Sequence, residues 1–233
     1  MIVIPPIREI LAMEKHIVKI LKTEFVTHNV KRFTVEKPAG YTFISGQATD
    51  VSINKPGLEN DLHPFTFTCL NTDDYLEFTI KIYKGNNGLT EKLLDINPGD
   101  ELILHEVFGA INYQGPGLFI AGGAGLTPFI SIFRQLKADN KLAGNTLLFG
   151  NRTQDDIIIK DELDEMLGQN HVDVLSNPTG DVPGSHINKA LIKQFLTDKT
   201  EYCYICGPDE FVAAMKKYIL EIGVEEDKIV VEE

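Results

Sequence analysis

Two rhythms of apolar and polar residues divide this chain. From Met13 to about Tyr113 the apolar positions come in short runs rich in β-branched and aromatic residues: HIVKI, VKRFTVE, ATDVSI, PFTFTCL and LEFTIKIY. Turn-forming clusters such as KPAG, NKPGLEN and NTDD separate them, which predicts a small antiparallel barrel or sandwich. One helix interrupts the series at LTEKLLD, followed by the turn NPGD and the strand ELILH. From about Gly115 the apolar strands LFIAG, NTLLFG, HVDVLS, EYCYICG and KIVVE alternate with longer amphipathic helices. Those helices are expected at Pro128 to Leu136, Asp161 to Leu167, Ile187 to Phe195 and Asp209 to Ile222. The alternation predicts a parallel sheet with helices on both faces. The expected architecture is therefore β followed by α/β, in domains of residues 13–113 and 114–233 preceded by an arm of residues 1–12.

The second rhythm begins inside an unusual stretch. Residues 107–133 carry no charge, and such a run is long enough to cross a bilayer. Yet Gly122, Gly123 and Gly125 sit together where strand should give way to helix, and Pro128 suits a first helical turn. A buried strand turning sharply into a core helix explains the run better than a membrane span. Glycine at such a turn permits positive φ and close backbone approach to a ligand, and the helix N-terminus offers unpaired N–H groups suited to a pyrophosphate. The stretch Gly123-Ala124-Gly125-Leu126-Thr127-Pro128 nearly completes G-x-G-x-x-G, with proline in place of the last glycine. Alone, it fits a tight turn that binds nothing equally well. GPDEF, from Gly207, ends a later strand at the same carboxyl edge, where ligands collect in open α/β sheets. Arg152 follows the strand NTLLFG, either in reach of a phosphate there or merely solvated.

Charge and cysteine usage narrow the function classes. With 34 acidic against 22 basic side chains the formal net charge is −12, which argues against nucleic acid and against a polybasic membrane surface. Three cysteines, Cys69, Cys203 and Cys206, are an odd and sparse set, pointing to a reducing, cytoplasmic setting without a disulfide framework. The CYIC spacing matches a redox pair, but residues three apart on a strand face opposite sides, so both cysteines are read as structural. The opening MIVIPPIREILA is broken by Pro5 and Pro6 and lacks a basic flank, so no signal peptide is expected.

Taken together, several short motifs point one way. The segment LHPFTFTCL carries His63-Pro64-Phe65-Thr66; FISGQATDVSI, GLTEKLL, GGAGLTP, GNRTQDDIIIKDEL and CGPDEF occur around it in a fixed order. In that order they resemble the ferredoxin–NADP reductase superfamily, which includes flavodoxin reductases and the reductase modules of oxygenases. The resemblance covers nearly everything from Met13 onward and implies an N-terminal antiparallel β-barrel that binds FAD, followed by an α/β nucleotide-binding domain. FISGQ is similar to an F-x-P-G-Q strand with Ser45 in place of proline. His63 to Thr66 occupies a flavin motif usually written R-x-Y-[ST], in the H-P-F-[ST] form familiar from ferric reductases and NADPH oxidases.

The resemblance also implies roles. Phe65 stacks on the isoalloxazine and the Thr66 hydroxyl lies near flavin N5. His63 stands where an arginine contacts FAD phosphate, and histidine is a weaker and pH-dependent partner. Thr79, Ile80 and Lys81 lend backbone contacts to the cofactor, and Gly88, Leu89 and Thr90 cradle its pyrophosphate. Gly122, Gly123, Thr127 and Pro128 receive the nicotinamide nucleotide, with Arg152 and Ser176 nearby. Cys206 lies beside the nicotinamide in a pocket shaped by Gly207 and Pro208. Thr66 and Cys206 are the residues expected nearest the reacting atoms. Two departures stand out: the sequence closes on KIVVEE without the aromatic residue that often covers the flavin's second face, and Asn177, not arginine, follows Ser176. The second leaves NADH as well as NADPH open as hydride donor.

The implied activity is electron transfer from NAD(P)H through FAD to a separate acceptor such as ferredoxin, flavodoxin or an oxygenase component. No cysteine cluster suits an iron–sulfur centre, and no metal site is expected. An acidic carrier would dock on a local basic patch at Lys31, Arg32 and Lys37. Two alternatives remain open: a non-catalytic, flavin-poor interaction module, and a reductase for free flavin or ferric iron.

Overall fold

A computed structural model of the chain describes residues 15–85, 87–109, 111–180 and 183–231. The expected arm of residues 1–12 lies outside the described residues. Six strands, β1 (His16–Thr27), β2 (Val30–Glu36), β3 (Ala48–Ile53), β4 (His63–Thr66), β5 (Tyr75–Lys81) and β6 (Glu101–Phe108), form an antiparallel sheet in the order β4-β3-β6-β1-β2-β5. The two outer strands are joined by the antiparallel Phe67–Phe78 bridge and by the Thr68 N–H donating to the Glu77 carbonyl at 2.8 Å. That contact closes the sheet into a barrel and removes its edges. Alternate residues point inward: Phe33 and Val35 on β2, Leu76, Phe78 and Ile80 on β5, and Leu102 and Leu104 on β6 are all essentially inaccessible. Each such side chain contributes roughly 1.5 to 3 kcal/mol by leaving water.

The helix expected at LTEKLLD is α1 (Leu89–Lys92), tightening into a 3₁₀ turn at Leu93–Asp95. Its last carbonyls are satisfied by Lys31, whose ammonium donates to the backbone oxygens of Leu93, Leu94 and Ile96 at 3.1, 3.0 and 2.7 Å. Lys31 is 4% exposed, and burial lowers its pKa despite the pull of Asp95 and Asp100. This corrects the expected docking patch. Lys31 caps a helix end, Arg32 lies against Glu24 and Glu77, and Lys37 is committed to the carbonyls of Asn71 and Asp73.

The remaining strands, β7 (Gly117–Gly122), β8 (Thr146–Asn151), β9 (His171–Leu175), β10 (Tyr202–Cys206) and β11 (Ile229–Val231), form a parallel sheet ordered β11-β10-β7-β8-β9. β7 is wholly buried, as a central parallel strand must be. Helices α2 (Thr127–Ala138) and α3 (Lys160–Leu167) cover one face, and α4 (Lys189–Phe195) and α5 (Asp209–Ile222) cover the other. The uncharged stretch is thus strand and core helix, and among the described residues no helix is long and apolar enough to cross a membrane. Cys203 and Cys206 pack into the cores on opposite faces of the sheet, neither of them in a disulfide. Burial pushes the Cys203 thiol up to about 12. α4 starts two residues later than expected because the Asn188 side chain caps it, accepting from the Leu191 N–H at 3.0 Å.

The halves pack directly. Val30 of β2 enters the apolar core beneath α2, and the Gly46 N–H donates to Ser131 Oγ on α2 at 3.0 Å. Arg134 of α2 reaches into the barrel: Nη1 donates to the Thr68 carbonyl and to Glu77 Oε1, both at 2.7 Å, while Nε and Nη2 hold the Glu162 carboxylate of α3 at 2.6 and 2.9 Å. Burial alone would raise the Glu162 pKa, but the hydrogen bonds and charge of Arg134 outweigh it and hold the carboxyl below its usual range.

Candidate functional site

The chain order of the second sheet sets where a site can form. From β7 the chain moves outward through β8 to β9, then returns to the other side of β7 at β10. At that reversal the loops leave β7 and β10 in opposite directions and open a crevice at the strands' carboxyl ends. The barrel stands over the crevice, and the resulting cleft has a volume of about 1230 Å³.

Each wall follows from local sequence. On the barrel side, β4 presents Pro64, Phe65 and Thr66 and β5 presents Thr79, Ile80 and Lys81. The Phe67–Phe78 bridge sets Thr66 beside Thr79 and Thr68 beside Glu77. On the opposite side, β7 ends at Gly122 and passes through a 3₁₀ turn that opens at Gly123 into α2, with Thr127 at the helix start. Gly123 has φ +53°, and a Cβ there would meet nothing closer than Lys81 Nζ at 3.8 Å. Gly125 serves packing: a Cβ would lie 2.3 Å from the Cys206 carbonyl oxygen, so only glycine lets the turn sit against the end of β10. Cys206, Gly207 and Pro208 complete that wall, and Arg152 and Ser176 stand at the ends of β8 and β9.

Four expected site residues lie off the cleft surface. His63 faces Asp61, with Nε2 3.1 Å from the carboxylate, and Lys92 approaches the same group at 3.5 Å. Leu89 is 1% exposed in the barrel core, and Gly88 is the residue preceding α1, although Thr90 does reach the cleft. Pro128 is buried in the first turn of α2. Conversely, several lining residues were not singled out from sequence. His28 and Asn29, in the β1–β2 turn, close one end: His28 Nδ1 lies 3.3 Å from the Asp155 carbonyl oxygen and Nε2 3.7 Å from the Asp156 carboxylate. Phe211 packs on Gly122 and Gly207, where Cβ atoms would meet its ring at 3.1 and 2.8 Å. Asn151 is 8% exposed, and its Nδ2 is a buried donor without a partner. Position just after an apolar strand, next to Arg152, was the one sequence signal for Asn151.

These features suit a dinucleotide. An uncovered glycine turn precedes a twelve-residue helix, a setting that favours phosphate. An orphaned amide donor on the wall can serve a ligand oxygen, and the barrel wall offers the Phe65 ring and the Thr66 and Thr79 side chains.

The comparisons with known proteins agree with this geometry. Residues 15–116 match the model of an FAD-binding domain and residues 119–217 that of an oxidoreductase NAD-binding domain. The reductase component of propane 2-monooxygenase from Rhodococcus jostii is 30% identical over 216 residues, spanning 85% of this chain and 57% of that protein. NADH-cytochrome b5 reductase 1 from Coccidioides immitis is 28% identical over 230 residues, spanning 88% of this chain and 74% of the relative. The chain thus spans little more than half the length of the first of these relatives. Among solved structures, a ferredoxin NADP+ reductase from Neisseria gonorrhoeae with bound FAD and NADP superposes with a TM-score of 0.80 at 21% identity, covering 94% of this chain and 98% of that one. This chain therefore joins a member of the FAD-binding domain family to a member of the oxidoreductase NAD-binding domain family at one cleft, in the fold that the ferredoxin NADP+ reductase shares.

Proposed function

We propose that this chain is an NADH-dependent flavoprotein reductase that hands electrons to a separate acceptor protein, with residues 13–113 as the flavin domain and residues 114–233 as the nucleotide domain. The observation that carries the reading is the convergence of Phe65, Thr66, the Gly122–Gly123 turn and Cys206 on a single cleft between the two halves. FAD bound on the barrel wall supplies a two-electron acceptor for hydride from nicotinamide C4. The protein's share is orientation: Phe65 offers a ring face, Thr66 a hydroxyl at the flavin N5 position, and Gly207 and Pro208 a surface against which the nicotinamide packs. Cys206, 7% exposed, excludes water from beneath it. Gly88, Leu89 and Thr90 serve the FAD pyrophosphate through backbone groups, since the Leu89 side chain is spent on the core.

NADH is favoured over NADPH by the groups beside Ser176. Asp155 and Asp156 line the same end of the cleft as Arg152, and their charge opposes a 2′-phosphate that a lone exposed arginine would have to hold. The separate acceptor is supported by relatives named as reductase components of multi-protein systems. A reducing cytoplasm fits three cysteines that are not joined in disulfides. A second reading rests on His63: its engagement with Asp61 leaves a weaker phosphate contact, which favours a flavin that exchanges, as in a free-flavin reductase.

Anaerobic absorbance separates these readings. Protein reconstituted with FAD should bleach with NADH faster than with NADPH, and Thr66→Ala should slow bleaching while leaving the fold intact. Failure to retain or take up FAD, or no bleaching with either donor, would overturn the proposal. Turnover that requires added free flavin would select the second reading.

A further inference from the structure

A chain of buried hydroxyls behind the barrel wall has a direction that the ion cluster at its far end dictates. Glu77 Oε1 accepts from Arg134 Nη1 and from Thr68 Oγ1, each at 2.7 Å. A carboxylate held by a guanidinium carries no proton to give, so the Thr68 hydroxyl hydrogen is committed to Glu77. Thr68 Oγ1 lies 3.2 Å from Thr79 Oγ1. With its own hydrogen spent, Thr68 can only accept there, and the Thr79 hydroxyl hydrogen is committed in turn. Thr68, Glu77 and Thr79 are 0, 6 and 5% exposed, so water does not compete for these bonds.

Thr79 is the member of this chain that lines the cleft, beside Thr66. We infer that Thr79 presents its oxygen to the cleft as an acceptor only, and that it receives a hydrogen bond from an N–H group of the bound flavin, namely the ring N3–H of the isoalloxazine. That is the one ring N–H of the oxidised isoalloxazine, whereas N1, N5 and the two carbonyl oxygens are acceptors that a hydroxyl without a free hydrogen would repel. Thr68 and Glu77 are positioning residues that act through Thr79, and Arg134 ties their polarity to the packing of the two halves. The inference rests on the flavin reading above and adds which edge of the ring faces β5.

Equilibrium binding of FAD and of N3-methyl-FAD, followed by flavin fluorescence on the full chain, tests it. The wild type should bind FAD about 3- to 10-fold more tightly than the methylated analogue, the range a single buried hydrogen bond supplies. Thr79→Val should bind the two equally, because no acceptor remains, and Thr79→Ser should restore the preference. Thr68→Val should shrink it, because the Thr79 hydroxyl is then free to rotate and donate. Equal binding by the wild type would overturn the inference while leaving the flavin reading standing. A preference that survives in Thr79→Val would reassign it to steric exclusion of the methyl group, and an undiminished preference in Thr68→Val would remove the relay. If the wild type took up neither flavin, the reading of the cleft itself would fall.

Discussion

Arg134 and His171 are both basic side chains of the second half, each held between two carboxylates, and they stabilise the molecule in different ways. Arg134 lies between Glu77 and Glu162, at 2.7 and 2.6 Å. His171 lies between Asp164 and Asp173, at 2.7 and 3.1 Å, and its side chain is fully inaccessible. Glu77 belongs to the barrel and Glu162 to α3, so the arginine bridges two folding layers. Both partners of His171 belong to the second half, on α3 and β9, and Lys160 shares both of them at 2.8 and 3.3 Å. The chemistry differs as well as the placement. A guanidinium stays charged at every accessible pH, whereas an imidazole can give up its charge. A permanent cation therefore stands where the two nucleotide walls must hold register, and a titratable one stands where only local packing is at stake.

The largest test of this contrast is Arg134→Met. Glu77, 6% exposed, would lose its closest charged partner and keep Arg32 at 3.8 Å, and removing one partner of a buried ion pair costs about 3 to 5 kcal/mol. Urea unfolding should report a loss of that size, nearly constant from pH 6 to 9 because the arginine does not titrate. A pH-dependent loss, or one below about 1 kcal/mol, would mean that the seam is held by its apolar contacts alone.

Next in size is His171→Gln, expected to cost about 1 to 2 kcal/mol at low pH by removing charge-assisted bonds. Here pH should matter. Burial lowers the His171 pKa, but the charges of Asp173 and Asp164 and the hydrogen bond to Asp164 outweigh it, so the folded value is raised above 6.5. The contribution is fully present below 6.5 and disappears as pH rises through the folded value. Unfolding curves of the two proteins should accordingly converge in mild alkali.

A second histidine sharpens the comparison because no carboxylate is hydrogen-bonded to it. His105 is 2% exposed and neither ring nitrogen has a hydrogen-bond partner among the described residues. Burial first, then the charge of Lys15, lowers its pKa from 6.5. The sign reverses: stability is present above 6.5 and lost as pH falls towards the folded value. His105→Gln should flatten the acid side of the stability profile, so an unchanged acid limb would show that other groups control it. The smallest effect is expected from Lys189→Ala, which breaks an exposed 3.0 Å pair with Glu221; a shifted melting temperature there would contradict the view that surface pairs contribute little.

Much of the fold was legible because adjacent residues carry it. β2, β3 and α5 fall where the runs VKRFTVE, ATDVSI and DEFVAAMKKYILEI place them, and the alternation of a strand put Cys203 and Cys206 on opposite faces without any knowledge of the sheet. β1 was seen only through Ile20 because its second half, LKTEFVT, is largely solvent-facing and has little apolar pattern, yet it pairs with β2 through Thr27. β4 was drawn too long: PFTFTCL leaves the ladder after Thr66, where Phe67 turns to close the barrel. Of the site, the glycine turn and the HPFT strand were readable as motifs. Lys31 was misread as a docking charge because nothing in its neighbours announces three carbonyls more than sixty residues away.

Turn chemistry and the two apolar periods by themselves determined the succession of an antiparallel and a parallel sheet and the strand-to-helix turn at Gly122 and Gly123, whereas the nucleotide-binding faces were implied only by resemblance of the ordered motifs. The first two depend on φ, ψ and side-chain direction over a few residues, which local sequence controls. Only the tertiary structure decided that Arg134 meets Glu77, that Asn151 is left with an unpaired donor, that His63 turns to Asp61 and that the Thr79 hydroxyl is tied to Thr68. Arg134 and Glu77 lie 57 residues apart in the chain, and the surroundings of Asn151 and Thr79 depend on the closure of the barrel and its packing against the sheet, which sets distances that no local pattern encodes.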